Sequence, residues 1–376
     1  MRIGITCYPT YGGSGVVATE IGKELAQRGH EIHFISYAIP IKLNHTDERI
    51  HFHEVEMLNY PLFEHPPYAL ALATKMAEVA TQHELDLLHV HYAIPHSVSA
   101  FLAKEMLRPQ KLPVITTLHG TDITLVGNDR SYLPITRFSI EKSDGVTAVS
   151  VYLRDLTYQE LDVRTPIETI PNFVNCVTFQ RAKGAELRTR YAPQGEKLLI
   201  HISNFRPVKR VTDVIEIFDR VARRLPARLL MVGDGPERAN AEWLVRSRKL
   251  EGMVCFLGKQ DSVADLLSVS DLMLLPSANE SFGLVALEAM ACEVPVVASN
   301  VGGIPEVIRD GKDGALAAPG DVEAMAAHSI GILSNEGLLR ELGQNARQHA
   351  IDEFCSTKII PRYESFYGDV VARVHS

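Results

Sequence analysis

Apolar and polar positions along the chain fall into two alternating patterns. Short runs rich in β-branched and apolar residues, Arg2–Cys7, Glu31–Ser36, Asp86–His91 and Val114–Leu118, have the length and density of buried strands. Between them, Val16–Gln27 and Pro95–Met106 repeat their apolar residues at helical spacing, and Gly145–Val149 followed by Val151–Leu161 continues the rhythm. Strands alternating with crossover helices predict an α/β fold with an open, doubly wound parallel sheet, so residues 1–170 are expected to form one Rossmann-like domain.

The pattern breaks at Thr169-Ile-Pro-Asn-Phe-Val-Asn175, where a proline and two asparagines interrupt it, and it restarts with the strand-like Lys197–Ser203. Leu229–Val232, Val254–Leu257, Leu272–Leu275 and Val294–Ser299 then repeat the same arrangement. A second Rossmann-like domain is therefore expected over 171–355, with a final helix from about Ser356 to Val374.

Composition narrows the partners. A chain of 376 residues, 46% hydrophobic, has enough apolar surface for two cores. Its formal net charge of -8 argues against nucleic acid, which rewards clustered Lys and Arg, and favours a small-molecule substrate. The cysteines, Cys7, Cys176, Cys255, Cys292 and Cys355, are odd in number, scattered and free of any CxxC. They predict neither a disulfide framework nor a zinc site, and they fit a reducing cytoplasm. The N-terminal apolar run is broken by Pro9 and glycines before it could act as a signal segment, and no stretch approaches the ~20 apolar residues of a bilayer span. A cytoplasmic protein without stable membrane association is expected.

In open α/β sheets ligands bind beyond the carboxyl ends of the strands, so the loops there carry the candidate chemistry. Tyr11-Gly-Gly-Ser-Gly15 follows the first strand and precedes a helix, where backbone N–H groups such as those of Gly13 and Ser14 can approach an anion or a sugar; an ordinary glycine-rich strand-to-helix turn reads the same way. Ala18 replaces the third glycine of a dinucleotide fingerprint and the second strand ends without an acidic residue, which argues against NAD. Glu280-Ser-Phe-Gly-Leu-Val-Ala-Leu-Glu288 places two carboxylates eight apart across a loop-to-helix transition. Glu288 can accept from vicinal ribose hydroxyls and Glu280 from a donor sugar, while backbone N–H groups of Ser281, Phe282 and Gly283 can receive a diphosphate. The same residues also read as a solvated helix start.

Ser203-Asn-Phe-Arg-Pro-Val-Lys-Arg210 brings cations to the end of another strand. Lys209 is the leading phosphate ligand, suited to the charge that accumulates on a departing diphosphate, with Asn204 and Arg206 beside it. An exposed Lys-Arg pair at a helix start is the ordinary alternative. In the first domain, His89-Val-His-Tyr-Ala-Ile-Pro-His96 and Thr116-Thr-Leu-His-Gly-Thr-Asp122 each end a strand, and Arg137 follows on a helix. Asp122 can orient His119, meet the sugar or cap a helix. No Asp-x-Asp occurs in the chain, so the metal–diphosphate clamp built on that motif is not expected, and no cofactor is expected either.

Asn279–Cys292, followed by Val301-Gly-Gly-Ile-Pro-Glu306, together with Val232-Gly-Asp-Gly-Pro-Glu237 and Leu257-Gly-Lys259, resembles the donor domain of GT-B retaining glycosyltransferases. The resemblance runs over nearly the whole chain. It implies two Rossmann-like domains facing across a cleft, a nucleotide diphosphate sugar donor, and a final helix, about 356–376, that packs back on the first domain. It places Gly258, Lys259 and Gln260 near the nucleotide base and gives His119 a hydrogen-bonding role towards the donor sugar.

The joint occurrence of Ile3–Pro9, Gly12–Gly15, His89–His96, Leu118–Ile123 and His201–Arg206 resembles the bacillithiol-pathway branch of that family. That branch implies UDP-N-acetylglucosamine as donor and L-malate as acceptor, and leaves room for a homodimer or higher homo-oligomer. Malate has two carboxylates, and a forked cation with short hydroxyl donors suits it: Arg137 with Ser14, Tyr92, Thr117 and Thr121. Arg137 can instead pair with Glu141 one helical turn on, and the hydroxyl residues can serve packing or capping.

Overall fold

The computed structural model describes the whole chain except residues 11, 44–46, 58–64, 125–128 and 182–184. It divides into two compact units, Met1–Asn172 with Ile359–Ser376, and Phe173–Lys358.

The first unit is built on a seven-stranded sheet, β1 (Arg2–Thr6), β2 (Glu31–Ser36), β3 (Ile50–Glu54), β4 (Leu87–His91), β5 (Val114–Leu118), β6 (Gly145–Ala148) and β7 (Ile167–Thr169), in the order β3-β2-β1-β4-β5-β6-β7. Every neighbouring pair is parallel. The central strands are buried on both faces, including His89, His91, Thr116 and Thr117 among their apolar residues. Helix Val151–Leu161 starts where Ser150 caps it, its Oγ accepting from the Leu153 N–H at 3.1 Å. The chain returns to this unit at Ile359, and Tyr363 and Tyr367 of the last helix are fully buried in it.

The second unit carries six parallel strands, β8 (Lys197–Ile202), β9 (Ala227–Val232), β10 (Val254–Gly258), β11 (Leu272–Leu275), β12 (Val296–Ser299) and β13 (Gly314–Ala317), in the order β10-β9-β8-β11-β12-β13. Its main core joins Leu199, Leu229 and Leu274 of the sheet to Val214, Ile217 and Phe218 of helix Val211–Ala222. In both units the order reverses next to the first strand, which opens a crevice at the strand carboxyl ends, where a doubly wound sheet binds ligands.

Three strands had no counterpart in the sequence reading: β3, β7 and β13. Each is short and lies at or next to a sheet edge, and β3 reads Ile-His-Phe-His-Glu, in which imidazoles occupy the positions an apolar pattern would need. The helix expected over Pro95–Met106 becomes regular only at Val98. Among the described residues no helix is long and apolar enough to cross a membrane.

Candidate active site

In the first unit, the loops after β1, β4 and β5 bring Ser14, Tyr92 and His119 together. Ser14 Oγ donates to the Tyr92 hydroxyl at 3.0 Å, and the Tyr92 ring lies 5.4 Å from that of His119. Gly15 is required by the backbone here, because a Cβ would come 2.6 Å from the Tyr8 carbonyl oxygen. Gly13, in contrast, opens onto free space. Tyr92 holds φ +86°, a strained value for a residue with a Cβ, and its N–H donates to the Thr117 carbonyl at 3.0 Å.

Asp122 braces this group from below. Its Oδ1 accepts from the backbone N–H of His119 at 3.2 Å and of Gly120 at 2.9 Å, and its Oδ2 from that of Ala93 at 3.1 Å. Of the three roles open to Asp122 in the sequence, the structure shows orientation of the His119 loop. Thr121 is exposed at the start of the short helix Thr121–Thr124.

His119 shares a 2.8 Å nitrogen–nitrogen hydrogen bond with His91. Burial pushes the His119 and His89 imidazoles down to about 3 and His96 to about 4, and holds His91 well below its ordinary value. At neutral pH the cluster is therefore uncharged, and His119 offers a hydrogen bond rather than an imidazolium acid. Asp122 runs the other way, pushed up to about 6 by burial against the pull of its backbone donors.

These shifts set a pH dependence. The imidazoles titrate near 6.5 when unfolded, so the stability they give is present above about 6.5 and is lost as pH falls toward about 3–4. The contribution of Asp122 is present below about 4 and lost as pH rises through about 6. Four imidazoles against one carboxyl leave a net uptake of roughly three protons on unfolding near pH 5. Urea unfolding followed across pH 4.5–7 should show stability falling steeply toward acid; a flat profile would mean these histidines are not held neutral.

Two expected acceptor residues sit differently. Thr117 is fully buried inside β5, its hydroxyl 2.7 Å from His89 Nε2 and 2.6 Å from Thr147 Oγ1. A residue within the strand points at a sheet face, not beyond its end, so Thr117 positions His89, whose other nitrogen meets the Tyr367 hydroxyl at 2.8 Å. Arg137, on helix Leu133–Lys142, is paired with Glu141 at 3.4 Å and Asp162 at 3.3 Å. The helical-turn pairing weighed from the spacing is thus the one formed.

In the second unit, three strand-end loops converge. Lys209, in the turn Pro207–Lys209 after β8, donates to Glu280 Oε1 at 2.5 Å, and Ser277 Oγ donates to the same oxygen at 2.9 Å. The Ala278 N–H donates to the Val208 carbonyl at 2.8 Å, which ties the two loops together. Lys209 and Glu280 side chains are 20% and 12% exposed, so their charges meet where solvent screens them little. The fully buried Phe205 anchors the first loop, and Arg206 beside it is exposed with no ion pair among the described residues. Asn204 keeps a buried Oδ1 without a hydrogen-bond partner.

Close backbone packing shapes the rest. A Cβ at Gly235 would meet the Asn204 carbonyl oxygen at 2.0 Å, so the Gly-Asp-Gly turn after β9 lies directly on the Lys209 loop. Gly303 donates to the Glu280 carbonyl at 2.9 Å, which seats the Gly302-Gly303 turn against Glu280 and Ser281. Gly283 holds φ +96° at the start of helix Leu284–Ala291, on which Glu288 is buried; burial together with the Glu288 charge pushes the Cys292 thiol up to about 12. Phe282 is buried. At the end of β10, Gly258 holds φ +67° and accepts from the Gly233 N–H at 2.8 Å, leaving Lys259 and Gln260 exposed beyond it.

The sequence did not single out Ser277 or His91 as parts of these sites, and it offered the Gly302 turn only within the donor-domain pattern, with no partner named for it. The visible signal for Ser277 was a small hydroxyl two residues beyond a strand end; His91 and Gly302 owe their roles to contacts distant in sequence.

The model for Glycosyl transferases group 1 matches residues 185–349, and that for Glycosyltransferase Family 4 matches residues 11–177. Among solved structures, Anabaena HepE in complex with UDP-glucose superposes with a TM-score of 0.82 at 21% identity, covering 98% of this chain and 100% of that one. Sucrose-phosphate synthase from Thermosynechococcus elongatus gives 0.80 at 22%, covering 99% and 100%. The fold is thus that of the GT-B glycosyltransferases, two Rossmann-like parallel-sheet domains. In sequence, the chain is 51% identical over 372 residues to N-acetyl-alpha-D-glucosaminyl L-malate synthase of Bacillus anthracis, covering 99% of this chain and 97% of that protein. The chain is an enzyme that belongs to the glycosyltransferase family in which that Bacillus anthracis protein stands.

Proposed function

We propose that this enzyme transfers N-acetylglucosamine from UDP-N-acetylglucosamine to the hydroxyl of L-malate, with retention of the α configuration, as the first step of bacillithiol biosynthesis in the cytoplasm. The observation that carries the reading is the Lys209–Glu280–Ser277 group at the strand ends of a chain 51% identical to an N-acetyl-alpha-D-glucosaminyl L-malate synthase.

Donor binding falls to the second unit. The diphosphate lies over Lys209 and Arg206 and the backbone N–H groups of Ser281, Phe282 and Gly283; Glu288 takes the ribose hydroxyls; the base sits at Gly258, Lys259 and Gln260. Asn204, whose buried Oδ1 is unsatisfied, lies in the same loop as Arg206 and Lys209. When the diphosphate arrives, Lys209 turns from Glu280 to the phosphate, and Glu280 is released to the sugar hydroxyls. Malate is held by Ser14, Tyr92 and Thr121, with Arg137 exchanging its exposed partners for a carboxylate. Exposed pairs of that kind contribute only about 0.2–1 kcal/mol, so the exchange costs little.

The chemistry is front-face displacement. The bond from C1 of the sugar to the β-phosphate oxygen breaks while the malate hydroxyl oxygen bonds to C1 on the same face, and its proton passes to the leaving phosphate oxygen. Neutral His119 donates or accepts a hydrogen bond at the sugar, and the protein's main contribution is compensation of charge on the diphosphate. Lys209, Arg206 and the helix at Leu284 supply that charge without a metal ion.

Release of UDP from UDP-N-acetylglucosamine in EDTA, with L-malate, D-malate, inositol phosphate or no acceptor, tests this reading. Rapid release with L-malate alone is expected. Release only with another acceptor would refute the malate site, and activity that vanishes in EDTA and returns with magnesium would refute metal independence.

A further inference from the structure

Strands β2 and β3 pair in parallel with His33 opposite His51 and Ile35 opposite His53. Side chains alternate along each strand, so Glu31, His33, His51 and His53 all project from one face. Ile32 and Phe34 take the other face, against Gly22 of helix Gly13–Gln27. Ile35 joins Leu72 and Met76 of helix Tyr68–Gln82 on the histidine face, and His83, just beyond that helix, packs its ring 4.5 Å from that of His33. Four imidazoles and a carboxylate thus gather on one face of β2 and edge strand β3, apart from the loops after β1, β4 and β5 that carry Ser14, Tyr92 and His119.

The group has an unfilled position. His33 is fully buried; its Nδ1 is 2.9 Å from His53 Nε2, and its Nε2 has no hydrogen-bond partner. That orphaned nitrogen lies 3.6 Å from Glu31 Oε1, and the same oxygen lies 3.1 Å from His51 Nε2. Those two spacings bracket the roughly 3.3 Å that separates donors held at about 2.0–2.1 Å from one tetrahedral zinc.

We propose that His33 Nε2, His51 Nε2 and the Glu31 carboxylate form a binding site for a divalent d-block cation of the zinc class. Two imidazoles and one carboxylate suit zinc, cobalt or nickel better than magnesium or calcium. His53 acts as the positioning group, receiving the Nδ1–H of His33 and so presenting Nε2 to the metal, as a partner behind a ligating histidine does. Glu31 and His51 are 42% and 38% exposed, which gives the ion a path in and leaves its fourth position to water. The ion would clip edge strand β3 to β2, a structural task separate from transfer.

The test is titration of tag-free, chelator-stripped full-length chain with Zn²⁺ in competition with a chromophoric chelator, and with Co²⁺ read by its visible absorption. One saturable ion per chain is expected, with the intense bands of a four-coordinate cobalt site and a melting temperature that rises with zinc. Glu31→Gln with His51→Gln alters two half-exposed side chains and should fold; it is expected to lose binding by more than the roughly 10–100-fold that removal of an orienting partner costs, and His53→Phe should fall within that range. Absence of saturable binding, binding unchanged in the double variant, or loss of binding in His83→Asn alone would overturn the site.

Discussion

Lys209→Ala is expected to lower kcat by about 10²–10³-fold, the scale on which loss of one preorganised group that compensates transition-state charge is felt. The ammonium stands on a turn fixed by the buried Phe205, so once donor binding has drawn it from Glu280 to the phosphate it needs no further reorganisation as the diphosphate departs. Negative charge on the leaving group grows between ground state and transition state, and for that reason the effect should fall more on kcat than on the donor KM. The substitution also strips Glu280 of its cation and leaves only the Ser277 hydroxyl on Oε1. Combining Lys209→Ala with Glu280→Gln separates the two consequences. If the loss came from an unpaired carboxylate repelling the donor, the double variant would regain activity; the charge-compensation account predicts that it does not. A Lys209→Ala enzyme with near wild-type kcat would remove Lys209 from the mechanism.

Gly302→Ala should be the most damaging of the single-methyl changes considered. Gly302 holds φ +56°, and a Cβ there would fall 1.9 Å from the Glu280 carbonyl oxygen. A left-handed alanine costs about 1–2 kcal/mol and forced overpacking about 1–3 kcal/mol, so the expected loss of stability is roughly 2–5 kcal/mol. The backbone that must yield belongs to the Glu280 loop, so UDP affinity should fall together with the urea midpoint. Gly331→Ala is the matched control: it lies in helix Val322–Leu333 with nothing within 4 Å of the new methyl, and should stabilise by roughly 0.5–1 kcal/mol. Equal behaviour of the two variants would contradict the packing argument.

The doubly wound architecture was legible because buried parallel strands announce themselves: β1, β5 and β8 read as apolar runs with helical periods after them. The edges were not. β3 spends alternate positions on imidazoles, and β13 is four residues of glycine, alanine and leucine, so neither carries an apolar signature. At the site, the loops could be picked out one by one, since Gly12–Gly15, Tyr92, His119, Lys209 and Glu280 all lie at or beyond strand ends. What joins them was not written locally. The Lys209–Glu280 pair spans 71 positions, and the orientation of Thr117 depends on where β5 ends, a single residue beyond it. Spacing did offer the Arg137–Glu141 pair, but only as one of two partners, and the second, Asp162, comes from the end of the following helix.

The most direct test of the central claim is the product itself. Purified enzyme incubated with UDP-N-acetylglucosamine and L-malate, and followed by proton NMR, should yield one equivalent of UDP per equivalent of a glycoside whose anomeric proton shows the small coupling of an α linkage to the malate hydroxyl. A β-linked product would contradict front-face retention, and UDP released without any malate glycoside would contradict the assignment of malate as acceptor.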